Sequence, residues 1–348
     1  MNSRLDYIDI LKGIGILFVI IGHMYTVPEC KAYVYSFHLP LFFIISGALL
    51  NESKYSTFKD FFISRFKSLF FPFMVFYIIL WLGWFFVERP MRSIDVTPLE
   101  TAFGLIWASD SWRWIFPGGL LWFVPALFSL EVIYYGVIKA IKNRWIAAVV
   151  LTALFAVGLL LAKFDLFILP WGINNALISI PFLAIGHLFR NYIINPDWGG
   201  HFSSGKMALL LGVILLIISF WGSELTGAGR VINISRLKTG PLWIYLSFPF
   251  IGTASWLFIS KSINKNRVLQ WFGKNTLPLL AFHGAVGRAA VVLVGMLSHA
   301  DKANVEHTWY LALATTIITI LVCWPLCVIW NKYYPIIKSF VFKPSSTH

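Results

Sequence analysis

The chain has 348 residues, of which 58% are hydrophobic and 12% charged, against roughly 25% charged in ordinary soluble domains. With 32 Phe and 16 Trp, it has too few polar side chains to cover a soluble fold, so soluble globular classes are excluded. The formal charge of +13 is read first as membrane topology rather than affinity for nucleic acid, because Lys and Arg collect on the cytoplasmic side of membrane proteins.

Several apolar stretches reach the roughly 18 residues needed to span a bilayer. They predict an all-α, polytopic membrane protein with about ten transmembrane helices, at 8–27, 33–50, 68–87, 119–141, 145–162, 171–189, 207–223, 241–260, 275–297 and 308–330. A membrane β-barrel would show short alternating segments instead. With the N-terminus inside, sixteen Lys and Arg fall on inner segments and nine on outer loops, which places both termini in the cytoplasm. The expectation is one integral-membrane domain over 1–348, with no appended soluble domain. The first apolar run contains Lys12 and lacks a small-x-small cleavage site, so it should stay as the first helix. Cys30, Cys323 and Cys327 form neither a disulfide framework nor a zinc-ligand spacing.

Ionisable groups inside membrane spans are costly and are functional candidates by default. In the first span Asp9 and Lys12 are three apart, close enough to pair on a helix. Lys12 and His23 are eleven apart, which puts them on one helix face roughly 16 Å apart along the axis. Gly13, Gly15 and Gly22 permit close approach of a helix or ligand. The plainer reading of His23 is an interhelical hydrogen bond.

The second span opens Phe37-His38-Leu39-Pro40 and runs on to Ser46-Gly47. If it returns inward after a short loop, His38 lies at about the depth of His23. Two imidazoles at one depth suggest proton chemistry, since imidazole titrates near neutrality. A metal would need a third ligand, and none lies nearby in sequence, so no metal is expected.

Arg65 and Lys67 stand where the third span begins. They read either as inner-surface anchors or as a phosphate clamp, for which Arg has the fork geometry. The loop from 88 to 118, expected outside, carries Trp107, Trp112 and Trp114. These are either headgroup anchors or a platform for the apolar face of a sugar. Further on, Trp122 lies in Leu121-Trp122-Phe123 and Glu131 sits in the fourth span, where it could neutralise a nearby cation. Span nine follows Asn275 and Thr276 and holds His283 and Arg288. His187, near the inner surface, reads as structural.

At these residues the chain resembles the membrane acyltransferase-3 family, and within it the fucose 4-O-acetylase-like branch. The opening Asp9-x-x-Lys12-Gly-Ile-Gly and the closing Gly22-His23 match that branch, and Lys12 and His23 match the family's basic-x10-His signature. Phe37-His38-x-Pro40-Leu-Phe-Phe-x-x-Ser46-Gly47 matches its second motif. Leu121 to Phe123 and Gly273 to His283 match later ones. The chain departs from the family's third-helix Arg-x-x-Arg: after Arg65, Ser68 occupies the second Arg position, with Lys67 beside it as a stand-in. The resemblance implies transfer of an acetyl group from cytoplasmic acetyl-CoA to a sugar hydroxyl of a bacterial cell-surface polysaccharide, or its lipid-linked precursor, at the inner membrane.

In that reading His23 is the general base or transient acyl acceptor, Asp9 orients Lys12, and His38 serves the acceptor or shuttles a proton. Lys12, Arg65 and Lys67 hold the donor. Ser46, Trp112, Trp114, Trp122, Glu131, Asn275, Thr276 and His283 form the substrate-binding set, with Ser46, Asn275 and Thr276 as candidate oxyanion donors. Expected partners are membrane lipids, acetyl-CoA and the glycan or lipid-linked acceptor, with no nucleic acid. The rival reading is a transporter or flippase of a lipid-linked sugar or small anion, which also favours midplane ionisable groups and broken helices.

Overall fold

The computed structural model describes residues 5–25, 27–91, 96–108, 118–164, 167–195, 205–263 and 265–342. Those residues are almost wholly helical, and the nearest approach to a strand among them is one bridge between Asn233 and Lys238. The main helices are α1 (Asp6–Met24), α2 (Pro28–Leu49), α3 (Phe58–Met91), α4 (Pro98–Trp107), α5 (Gly119–Ala140), α6 (Arg144–Phe164) and α7 (Ile173–Leu188). They continue with α8 (Gly205–Thr226), α9 (Leu242–Ile263), α10 (Arg267–Lys274), α11 (Thr276–Ser298) and α12 (Trp309–Val341).

Among the described residues, nine helices are long and apolar enough to cross a membrane. The chain is an all-α polytopic membrane protein. The expected sixth span is the exception. It is α7, with 16 residues, about 24 Å long at helical rise and short of a hydrocarbon core of about 30 Å. It packs against α2, α5 and α6, and most of its residues are buried. The third span is longer than predicted, running 34 residues from Phe58 to Met91. Its ladder slips into π-type turns at Phe66–Phe70 and Trp84–Glu88.

Burial sorts the bundle into centre and rim. In α1 and α2, 72% of the apolar window is buried inside the protein, against 22% in α8. The rim helices turn Leu, Ile and Phe outward, as helices in contact with lipid do, because hydrocarbon solvates such side chains as well as a core does. The centre is drawn together by glycine. A Cβ on Gly47 of α2 would overlap the Leu183 carbonyl of α7, and one on Gly186 of α7 would overlap the Ile44 carbonyl of α2. Gly13 and Gly273 play the same part between α1 and α10. Arg190, just past α7, donates from Nη1 to the Ala48 and Leu50 carbonyls at 2.7 and 2.8 Å. It thereby satisfies acceptors at the end of α2 that have no partner within the helix.

Candidate functional site

The central helices enclose two adjoining cavities. Call the end where α1 begins the near end. There a cavity of about 230 Å³ is lined by Lys12, Ser46, Arg65, Glu131 and Thr276 among apolar residues. Each cation has a built-in counter-ion. Lys12 Nζ lies 2.9 Å from Asp9, as its spacing predicts. Arg65 Nε lies 3.1 Å from Glu131, and Ser46 Oγ donates to the other oxygen of the same carboxylate. Glu131 is therefore the partner of a nearby cation. Lys12 and Arg65 stay partly open, with side chains 23% and 22% exposed, whereas their carboxylates are sealed.

At the far end, where α1 finishes, a cavity of about 680 Å³ is lined by His23, Tyr35, His38, Trp122 and the loop around Arg236. The two cavities share Val19, Leu39, Phe123 and Leu280. These four apolar residues form the boundary between the Lys12 chamber and the His23 chamber. A third cavity, of about 720 Å³, reaches His23 from another side along the Gly284 and Gly287 face of α11.

Three imidazoles converge here. The ring centroid of His23 lies 5.4 Å from that of His283, and the Tyr35 ring lies 6.4 Å from His23 and 4.9 Å from His38. The tautomers of two follow from their partners. His38 Nδ1 is 2.7 Å from the Val34 carbonyl, and His283 Nδ1 is 2.9 and 3.0 Å from the Leu279 and Leu280 carbonyls. A carbonyl only accepts, so both Nδ1 atoms carry the proton and donate it. Each neutral ring then offers Nε2 as a lone pair. His283 Nε2 is buried without a hydrogen-bond partner, close beside His23. Beside His23 thus stand two imidazoles, His38 in the chamber lining and His283 buried behind it, whose Nδ1 atoms are already fixed, an arrangement that orients an imidazole for acid–base work. Pro40, in the chamber wall, has no N–H for the helix ladder.

The other sequence candidates separate. Trp122 is buried and lines the far chamber. Asn275 uses both ends of its amide, donating to the Trp271 carbonyl at 2.7 Å and accepting from Asn331 at 2.6 Å. It links α10, α11 and α12, while Thr276 beside it lines the near cavity. Lys67 stands 4.8 Å over the Phe342 ring and lines neither chamber. Trp112 and Trp114 lie outside the described residues. His187 bonds Tyr134 and Glu52 at the periphery, and Arg288 forms a two-pronged pair with Glu88 at 2.7 and 3.3 Å.

Two contributors have no signature in the sequence. Tyr35 reads as one more aromatic in an apolar run. Arg236, with Asn233 and Ser235, reads as an ordinary outer loop, and only its folding over the bundle brings it to the histidines.

The fold and this site define a polytopic membrane protein with two adjoining chambers, cation–carboxylate pairs at one end and clustered histidines at the other. The family model described as Acyltransferase domain matches residues 5–328. The chain belongs to this acyltransferase-3 family and is a multi-pass membrane acyltransferase. No curated protein and no solved structure matches it.

Proposed function

We propose that the protein carries an acetyl group from acetyl-CoA, entering at a cytoplasmic near end, to a sugar hydroxyl held in the far chamber. The acceptor is a bacterial cell-surface polysaccharide or its lipid-linked precursor, the setting is the inner membrane, and the branch is the fucose 4-O-acetylase-like one. The observation that carries this reading is the adjacency of two cavities across a shared apolar boundary. One holds Lys12 and Arg65, and the other holds His23, roughly 16 Å further along α1.

The near chamber is narrow and mostly apolar. It suits a thioester and its slender arm, leaving the nucleotide outside, where the open sides of Lys12 and Arg65 face its phosphates. His23 removes the proton from the acceptor hydroxyl. The freed oxygen attacks the thioester carbonyl, and the tetrahedral oxyanion collapses as the C–S bond breaks. Coenzyme A leaves as thiolate and takes the proton back from the His23 imidazolium. His283 Nε2, an acceptor beside His23, stabilises that cation in passing. In a two-step variant His23 Nε2 attacks the thioester first and passes the acetyl group on.

The test uses purified protein in lipid nanodiscs with labelled acetyl-CoA and an envelope glycan fraction. Wild type is expected to consume acetyl-CoA and label the glycan. His23→Ala is expected to bind acetyl-CoA and to transfer its acetyl group about 10²–10⁴-fold more slowly. Transfer by His23→Ala at the wild-type rate overturns the site. Glycan crossing of vesicle membranes with no acetyl-CoA consumed replaces the reading with a transporter.

A further inference from the structure

The far chamber is closed by a hairpin that the reaction outlined above does not use. Asn233 and Lys238 exchange backbone hydrogen bonds of 2.7 and 2.8 Å, and Leu237 turns the chain with φ at 56°. The Asn233 side-chain oxygen accepts from the Arg236 amide and the Ser235 hydroxyl at 3.2 and 3.0 Å. From below, buried Asn175 of α7 donates to the Ile234 and Ser235 carbonyls at 2.7 and 3.3 Å. Ile232 and Ile234 are buried in the bundle. The hairpin is therefore a pinned wall whose presentation of side chains is fixed.

What it presents is Arg236. This residue lines the chamber together with His23 and His38, and it is exposed. Its guanidinium forms no ion pair with a described residue, in contrast to Lys12 and Arg65, each tied to a carboxylate. It interacts electrostatically with Tyr35, whose ring touches the histidine cluster. Among the described lining residues it is the one that carries a permanent charge. Exposed on the chamber side, the guanidinium keeps its N–H donors open to a ligand. The guanidinium fork matches a carboxylate or a phosphate oxygen pair.

We propose that Arg236 binds an anionic group on the acceptor, a sugar carboxylate or a sugar-linked phosphate, and so sets which hydroxyl meets His23. The proposal rests on the far chamber being the acceptor site of the acyltransferase.

Binding tests it without the acyl donor, so its outcome stands apart from that of the acetyl-transfer assay. Protein in nanodiscs is titrated with a uronic-acid disaccharide, a sugar 1-phosphate and the uncharged parent disaccharide. Wild type is expected to prefer at least one anionic probe over the neutral one, and the preferred arm tells carboxylate from phosphate. Arg236→Gln is expected to weaken that probe tenfold or more while leaving the neutral sugar unchanged. Lys238→Gln, on the same hairpin but outside the chamber lining, is expected to bind like wild type. Equal binding of charged and neutral probes by wild type overturns the proposal. So does an Arg236→Gln protein that keeps the preference, or an equal loss in Lys238→Gln. A wild type that shows the preference yet never consumes acetyl-CoA upholds anion recognition and removes only the donor reading.

Discussion

The near and far chambers adjoin across a shared apolar boundary, yet they treat polar groups in opposite ways. In the near chamber the charges arrive in pairs, Lys12 with Asp9 and Arg65 with Glu131. At the far end the Arg236 guanidinium lines the chamber without an ion pair to a described residue, and His283 Nε2, buried beside His23, has no hydrogen-bond partner among them. A buried polar atom left unpaired is expensive, so the free Nε2 of His283 marks a place kept for chemistry, while exposed Arg236 keeps its donors in water until a ligand takes them. The near end holds charge inside a membrane at low cost and lends only the open sides of its cations. The far end is where bonds are to change.

The sharpest way to break this contrast is at His23. Loss of a general base lowers kcat by about 10²–10⁴, so steady-state kinetics of His23→Ala are expected to show that loss with acetyl-CoA binding retained. A drop in donor binding of the same size would make His23 part of the near chamber's task instead.

Next in size is Glu131→Ala, which strands Arg65 and removes the acceptor of the Ser46 hydroxyl. Removing one partner of a largely buried ion pair costs about 3 kcal/mol, so chemical denaturation in detergent is expected to show a clear stability loss. Arg65→Met combined with Glu131→Gln, which removes both charges, should recover most of it. If Glu131→Ala is as stable as wild type, the near-end pairing is not structural.

Gly47→Ala probes the frame behind Ser46. Its methyl would meet the Leu183 backbone oxygen, and forcing α2 and α7 apart costs about 1–3 kcal/mol. The expected signature is a lower thermal midpoint with the far chamber's sugar binding little changed.

The smallest expected effect separates two lysines that the sequence treats alike. Lys12 lines the near chamber, and Lys67 rests on Phe342 outside it. Lys12→Ala should raise KM for acetyl-CoA severalfold, while Lys67→Ala should leave it within twofold. Equal rises would extend the donor site to the Lys67 surface.

Much of this was legible in the chain. The helical membrane fold follows from apolar stretches of spanning length, and nine of them became long helices. The pairing of Asp9 with Lys12 and the common face of Lys12 and His23 are consequences of helical spacing alone. The sixth span was foreseen as an element but not in its length, since its apolar character reflects burial between helices as much as contact with lipid. The extent of α3 was hidden because hydropathy marks its apolar middle, whereas the helix begins at the polar Thr57–Asp60 capping box.

The sequence by itself determined what repeats locally: helical spans, the i to i+3 ion pair, and the one-helix alignment of a cation with an imidazole, all set by 3.6 residues per turn. The tertiary structure alone decided which distant groups meet. Glu131 lies 66 residues from Arg65 in the chain and His283 lies 260 from His23, and no spacing rule acts over such separations. Glycines that let backbones touch brought α2 to α7 and α1 to α10, and Asn175 folded the Arg236 hairpin over the histidines. Those close approaches, set by packing rather than periodicity, turned a short list of ionisable residues into two chambers.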